Sequence, residues 1–279
     1  MIDSILTRSH DKIIIDKLEV DNELISNPED IKYHTAHHFQ HIVGPPSTDG
    51  TIPEEWRADY EELQHVNVDI YHSLYDMPSF DEWLSFLKDT PNNKAPGPSN
   101  ISYDLLKHLG PLGLKVLHNI TCACFILQDI PKAWKRAAIY PIPKPTHWKY
   151  NLSNTRPITL LETPRKLMVK ILNHRLGKIL VSNKILQDNQ FAGLPGGSTM
   201  PPIMVVQNII DNARHHNKEL WLYLQDMSKC YDRVDLRILR LAMQRLQIPE
   251  GFVNLTLNLF QNRRNYVLTD VVLLKTMTS

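Results

Sequence analysis

Cysteine is scarce and odd in number: three in 279 residues, at Cys122, Cys124 and Cys230. Three are too few for a disulfide framework and fit a reducing intracellular compartment, nuclear or cytoplasmic. Cys122 and Cys124 sit in an apolar helical run and read as core residues. No apolar run approaches the roughly 20 residues that cross a bilayer as a helix. Met1-Ile-Asp-Ser lacks the basic-then-apolar order of a signal peptide. Both absences argue against secretion and membrane insertion. Internal repeats and low-complexity tracts are missing as well. The length leaves room for a sizeable core and two structural units.

A net charge of only +1 hides a strong division. Residues 1–93 hold 6 Lys+Arg against 19 Asp+Glu, whereas residues 94–279 hold 25 against 11. Between 130 and 180 the count is 11 basic residues against the single acid Glu162. Such a density is an electrostatic footprint for nucleic acid, because each neutralised phosphate releases a counterion. For individual residues such as Lys170 and Lys178, a solvated helix face serves equally well.

Local signals place the elements. A helix is expected around Pro28–His41 and a weaker one around Pro53–Gln64, separated by the Gly44–Gly50 loop. Ser79-Phe-Asp-Glu82 is a capping box opening a short helix with Trp83, Phe86 and Leu87 as its apolar stripe, ended by Pro91. Helices follow at Ser102–Leu109 and Pro111–Leu127. Ala137–Ile142 and Arg156–Leu161 are β-prone, and antiparallel pairing would bring Lys144 and Arg156 together at one end. Thr163 and Pro164 start a helix whose Leu167, Ile171, Leu172, Leu176 and Ile179 repeat as a core stripe. Helices are further expected at Pro202–His215, Asp235–Gln247 and Pro249–Gln261, with a β-prone piece at Tyr266–Leu274. His34, His37, His38 and His41 share a helical face and read as a partly exposed surface rather than a metal site; His215 and His216 read as a helix end.

One stretch carries chemistry. Trp221-Leu-Tyr-Leu-Gln-Asp226 reads as an aromatic strand with a carboxylate where it stops, followed by a helix that Asp235 caps. Mg²⁺ is a hard ion that needs oxygen ligands, and two such ions can clamp the attacking and leaving oxygens of a phosphoryl transfer. Taken alone, an Asp at a strand end more often solvates it or caps the next turn.

Order and spacing change that weighing. Lys94-Ala-Pro-Gly-Pro-Ser99, Ile139-Tyr-Pro-Ile-Pro-Lys-Pro145, Thr155-Arg-Pro-Ile-Thr-Leu160, Gln190-Phe-Ala-Gly-Leu-Pro-Gly-Gly-Ser-Thr199 and Gln225-Asp-Met-Ser-Lys-Cys-Tyr-Asp232 follow one another as five motifs. In that order they resemble the reverse transcriptase of a non-LTR (LINE-type) retrotransposon over roughly residues 80 to 270. Group II intron maturases and telomerase fit the Lys94–Ser99 and Gly196–Thr199 segments less well.

The resemblance implies an α+β right-hand polymerase fragment: helical fingers and the start of an antiparallel palm sheet over 79–279, with an acidic, helical N-terminal extension over 1–78. It implies Asp226 as catalytic metal ligand for Mg²⁺, with Mn²⁺ as the alternative, and Tyr231 beneath the sugar of the incoming nucleotide. Met227 and Lys229 would run beside the triphosphate, which Lys144 and Arg156 would grip; Arg offers phosphate a planar fork and Lys a mobile point charge. Lys94, Gly196, Gly197 and Ser198 would contact nucleic acid, although a glycine-rich loop is also an ordinary connection. RNA template, DNA primer and dNTP are the implied partners, no membrane is involved, and the remaining palm and thumb segments are expected in the full-length protein.

The family's Asp-Asp hairpin has no counterpart after Asp226, where the only acids are Asp232, Asp235, Glu250 and Asp270. One carboxylate cannot hold two Mg²⁺ ions. The expected activity is therefore that of a polymerase fragment inactive alone, and the rival reading is a non-catalytic RNA-binding remnant. Purified, this chain is expected to extend no primer on a poly(rA) template; incorporation of dTTP above a no-enzyme control overturns that expectation.

Overall fold

The computed structural model describes residues 15–42, 52–144, 148–186, 190–227, 230–268 and 273–275, and the chain mixes helix with small sheets. Its described residues fall into two compact units. The first takes residues up to Thr51, then Met77–Val169 and Gly251–Ser279; the second takes Ile52–Asp76 and Lys170–Glu250.

The first unit is organised by strand β3 (Arg136–Pro143). Strands β1 (Leu18–Val20) and β2 (Glu23–Ile25) form a separate hairpin. Strand β4 (Thr155–Leu161) pairs antiparallel with β3, as the sequence implies, so that Ile142 faces Arg156 and Pro143 faces Thr155. On its other edge β3 pairs in parallel with β5 (Arg264–Leu268), which β6 (Leu273–Lys275) continues antiparallel. The order is β4-β3-β5-β6, so the sheet is mixed rather than antiparallel throughout. Ile139 and Val267 face each other in register and are both buried. They join Ile15, Leu18, Ile31, Phe39 and Leu152 in one apolar cluster. Helix α1 (Pro28–Ile42) contributes Ile31 and Phe39 to it. The acidic N-terminal segment, over residues 15–42, therefore shares its core with the sheet, because burying its apolar side chains there removes them from water.

Helices α2 (Phe80–Lys88), α3 (Tyr103–Lys107) and α4 (Pro111–Leu127) supply the helical side of this unit. Ser79 accepts from the Glu82 amide, as the capping box requires. Trp83 is wholly buried, and its indole Nε1 donates to Thr121 Oγ1 at 3.2 Å, which satisfies the one polar atom that burial would orphan.

Helix α5 (Thr163–Ser182) begins in the first unit and ends in the second. Leu167, Met168, Ile171 and Leu172 are buried, while Leu176 and Ile179 are half-buried. Thr163 lies inside the helix, and its hydroxyl is buried without a hydrogen-bond partner among the described residues, so it does not act as the cap that its position implies.

In the second unit, residues 54–60 form a 3₁₀ helix rather than an α-helix. Helix α6 spans Met200–His215, and α7 (Leu236–Arg245) is capped by Asp235, whose carboxylate accepts from the Arg237 amide at 2.8 Å. Helix α8 (Glu250–Asn258) leads back into the first unit. Tyr71 donates to Leu246 O at 2.8 Å, and the Gln247 amide donates to Leu63 O at 2.7 Å. Trp221–Gln225 does not form the expected strand: the segment is irregular, with Trp221, Tyr223 and Leu224 more than 80% exposed. Aromatic side chains favour a strand only where a neighbouring ladder receives the backbone, and no described strand pairs with this one.

The Lys94–Asn100 loop is held by the end of β4. Ser99 N–H donates to Glu162 Oε1 at 3.0 Å, and its hydroxyl donates to Oε2. Gly97 packs so closely on the Leu161–Glu162 backbone that a Cβ would lie 2.7 Å from Leu161 O. Gly97→Ala should therefore destabilise the first unit by about 1–3 kcal/mol, the usual cost of overpacking. Gly113→Ala, where the added carbon meets only the Leu109 side chain at 3.5 Å, should be neutral or stabilise α4 by about 0.5–1 kcal/mol. Urea midpoints of the two variants check the contrast, and equal midpoints would refute the close-packing account.

Candidate functional site

The β3–β4 hairpin places two cations side by side. Beyond the strand end, Lys144 N–H donates to Asn154 O at 2.9 Å and extends the ladder by one residue. Lys144 and Arg156 are then diagonal neighbours on one face of the hairpin, which separates such positions by about 7–8 Å. Both side chains are exposed. Lys144 Nζ donates to Ser153 O at 2.7 Å, which fixes the ammonium beside the turn. The arrangement offers a point charge and a planar fork to one multiply charged oxyanion.

Lys94 is exposed at the start of the anchored loop. Next to it, Lys166 Nζ donates to Ala95 O at 3.2 Å and lies 5.5 Å from the Tyr103 ring centre. Burial lowers the Lys166 pKa while Glu162 opposes that shift. Glu162, the lone acid of the basic stretch, is itself buried and serves as the anchor for Ser99. Sequence reasoning passed over this role, although an isolated acid among 11 bases was its signal.

The basic stretch is less of a surface than its composition implies. Lys135 is buried and pairs with Asp129 at 2.7 Å. Arg165 is 2% exposed and donates to Leu259 O at 2.7 Å and Trp134 O at 3.4 Å. Burial, with Arg263 nearby, brings its pKa down to about 10. Arg165 thus ties the first turn of α5 to the segments before β3 and after α8, and neither buried cation is available to a phosphate.

The other candidate residues belong to the second unit. Asp226 and Met227 are exposed in the irregular segment, and Tyr231 is 91% exposed in the short 3₁₀ turn Cys230–Arg233. Lys229 lies outside the described residues. Gly196 takes φ +78°, where glycine carries no steric cost, and a Cβ on Gly197 would lie 2.7 Å from Phe191 O. Ser198 Oγ accepts from Met200 N–H at 3.2 Å at the start of α6. Turn geometry and packing account for these three residues, as for an ordinary connection.

A pair of Mg²⁺ ions needs several oxygen ligands held together. Among the described residues no three His, Cys, Asp or Glu side chains converge, so Asp226 offers at most one ligand and does not make such a site by itself. On α1 the Tyr33 ring meets those of His34 and His37, at 5.1 and 6.1 Å between centres. No helix among the described residues is long and apolar enough to cross a membrane.

Comparison with known proteins supplies what the geometry leaves open. Residues 142–272 match the reverse transcriptase (RNA-dependent DNA polymerase) family. The chain is 32% identical over 175 residues to a probable RNA-directed DNA polymerase from transposon BS of Drosophila melanogaster, covering 62% of this chain and 19% of that protein. It is 24% identical over 237 residues to an uncharacterized 149 kDa protein of transposon TX1 of Xenopus laevis, covering 84% of this chain and 17% of that protein. A probable RNA-directed DNA polymerase from the Drosophila X-element is 27% identical over 176 residues, 62% of this chain and 19% of that protein. The chain spans about a fifth of the length of these relatives. The match begins inside β3 and includes Lys144, Arg156 and Asp226; together with the transposon relatives it supports a reverse transcriptase of the LINE type.

Proposed function

We propose that this chain is the fingers and opening palm portion of an RNA-directed DNA polymerase that copies a transposon RNA from a DNA primer. The observation that carries the reading is the diagonal placement of Lys144 and Arg156 on an exposed hairpin within the matched segment. In this reading both cations hold the triphosphate of an incoming dNTP. Met227, Lys229 and Tyr231 line the nucleotide's path, with the Tyr231 ring beneath its sugar. Lys94 and the Gly196–Ser198 turn face nucleic acid. Asp226 contributes one oxygen ligand toward Mg²⁺ or Mn²⁺, a divalent ion that would neutralise phosphate charge once further carboxylates complete its shell.

The exposure of Asp226 in an irregular segment favours a second reading, in which the chain alone binds RNA through its cationic surface without catalysis. The two separate by photolabelling with an azido-dATP. Under the first, label enters the peptide spanning residues 140–160, is displaced by excess dNTP, and falls at least tenfold in Lys144→Ala/Arg156→Ala. Under the second, RNA affinity falls steeply with salt and survives Asp226→Ala unchanged, while azido-dATP labelling is absent. Labelling that the double alanine variant leaves intact would sink the assignment of the two cations.

A further inference from the structure

We propose that the outward face of helix α4 is a self-association surface, on which two copies of this chain pair antiparallel along a seam formed by Leu112, Val116, Asn119, Ala123 and Ile126. The inference stands apart from the polymerase reading, because no nucleic acid or nucleotide enters it.

One face of α4 is fixed inside the first unit. Thr121, Cys124 and Phe125 are buried, Thr121 accepts from the Trp83 indole, and His118 Nε2 lies 2.8 Å from Pro78 O. The opposite face meets solvent. Leu112, Ile126 and Leu127 are each more than two-thirds exposed, and Val116 and Ile120 are exposed as well. These five residues expose roughly 600 Å², the upper end of the largest apolar patch on a typical monomer. Two such faces laid together remove about 1,000 Å² from water, the threshold that a specific protein interface clears.

Charge narrows the partner. Helix α4 holds one Lys or Arg, Lys115, and no acid. A single cation cannot follow a polyanion, so the face suits neither RNA nor DNA. A helix lying on a membrane surface needs a charged face turned to water, and the other side of α4 is packed in protein. Depletion of charge at the centre of an apolar patch is instead the composition of a protein interface.

Spacing identifies the partner as a second copy. From Leu112 the seam advances by 4, 3, 4 and 3 residues, the a/d repeat along which two helices interlock. Counted outward from Asn119, its members lie 3 and 7 residues toward the N-terminus and 4 and 7 toward the C-terminus, so the face reads nearly the same in both directions. A two-fold axis beside Asn119 then sets Leu112 of each copy beside Ile126 of the other, which is the isologous contact of a closed dimer. The two Asn119 amides, able to donate and to accept, meet at the axis and fix the register, as one polar residue in an apolar seam does. Antiparallel packing also separates the two Lys115 ammonium groups and opposes the helix dipoles, whereas parallel packing would bring like ends together.

The test uses the full chain, treated with nuclease so that bound RNA cannot bridge two molecules. Sedimentation equilibrium from about 1 to 100 μM should show a monomer–dimer equilibrium with Kd on the order of 10 μM, as befits so small an interface. Leu112→Glu/Ile126→Glu places acids at two exposed positions and should raise that Kd at least tenfold while leaving the urea midpoint unchanged. A second measurement covers any loss of folding in that variant. Leu112→Cys and Ile126→Cys are made singly in a Cys230→Ser background, mixed in equal amounts and mildly oxidised. Mass spectrometry should find the disulfide between positions 112 and 126 in at least fivefold excess over those joining like positions. A chain that stays monomeric at about 100 μM, a dimer that the charged variant leaves intact, or a majority of like-to-like disulfides each overturns the inference.

Discussion

The arrangement of the first unit depends on β3 being paired along both edges. Its partners are β4, about a dozen residues downstream, and β5, more than a hundred residues downstream. Pairing on both sides restrains the strand from slipping: a shift of one residue would turn Ile139 out of the core and bring Arg136 and Tyr140 toward it. The same register that buries Ile139 against Val267 thus holds Lys144 and Arg156 together on the opposite face. Core packing and the display of charge are two outcomes of one ladder.

Packing also redistributes the charge that composition reports. Lys135 and Arg165 are removed from the surface, one by a carboxylate and the other by backbone carbonyls. Taking a guanidinium out of water is costly, and donation to carbonyls compensates only part of that cost. Its return is structural, since Arg165 joins three segments that are distant in sequence. Glu162 works in the opposite sense: it spends its charge on a loop rather than on a neighbouring cation, and so keeps the Lys94 segment close to the end of β4.

The second unit presents a different picture. Its helices are bound to the 52–76 segment by specific contacts, such as Tyr71 to Leu246 O. The segment around Asp226 instead exposes its aromatic residues and accepts no ladder from a described strand. The run lies within the segment that matches the reverse transcriptase family, and the chain spans about a fifth of the length of the relatives it matches. Within that framework the exposed run is a β-prone segment lacking a described partner, not a failed helix.

Local chemistry alone made several elements legible. Ser79 and Asp235 are caps because a short oxygen-bearing side chain beside an amide needs no distant partner. The β3–β4 pairing and the proximity of Lys144 to Arg156 followed from alternation and a short connection. The five ordered motifs identified the family, since their spacing is a property of the chain itself. What depended on partners far along the sequence was not legible. The parallel β5 strand, the burial of Arg165, the anchoring role of Glu162 and the absence of a ladder at Trp221–Gln225 are set by long-range neighbours. Sequence by itself determined which residues prefer which backbone and what chemistry they carry. Only the tertiary structure decided which of those charges meet solvent, because desolvation depends on everything packed around a group and not on the group alone.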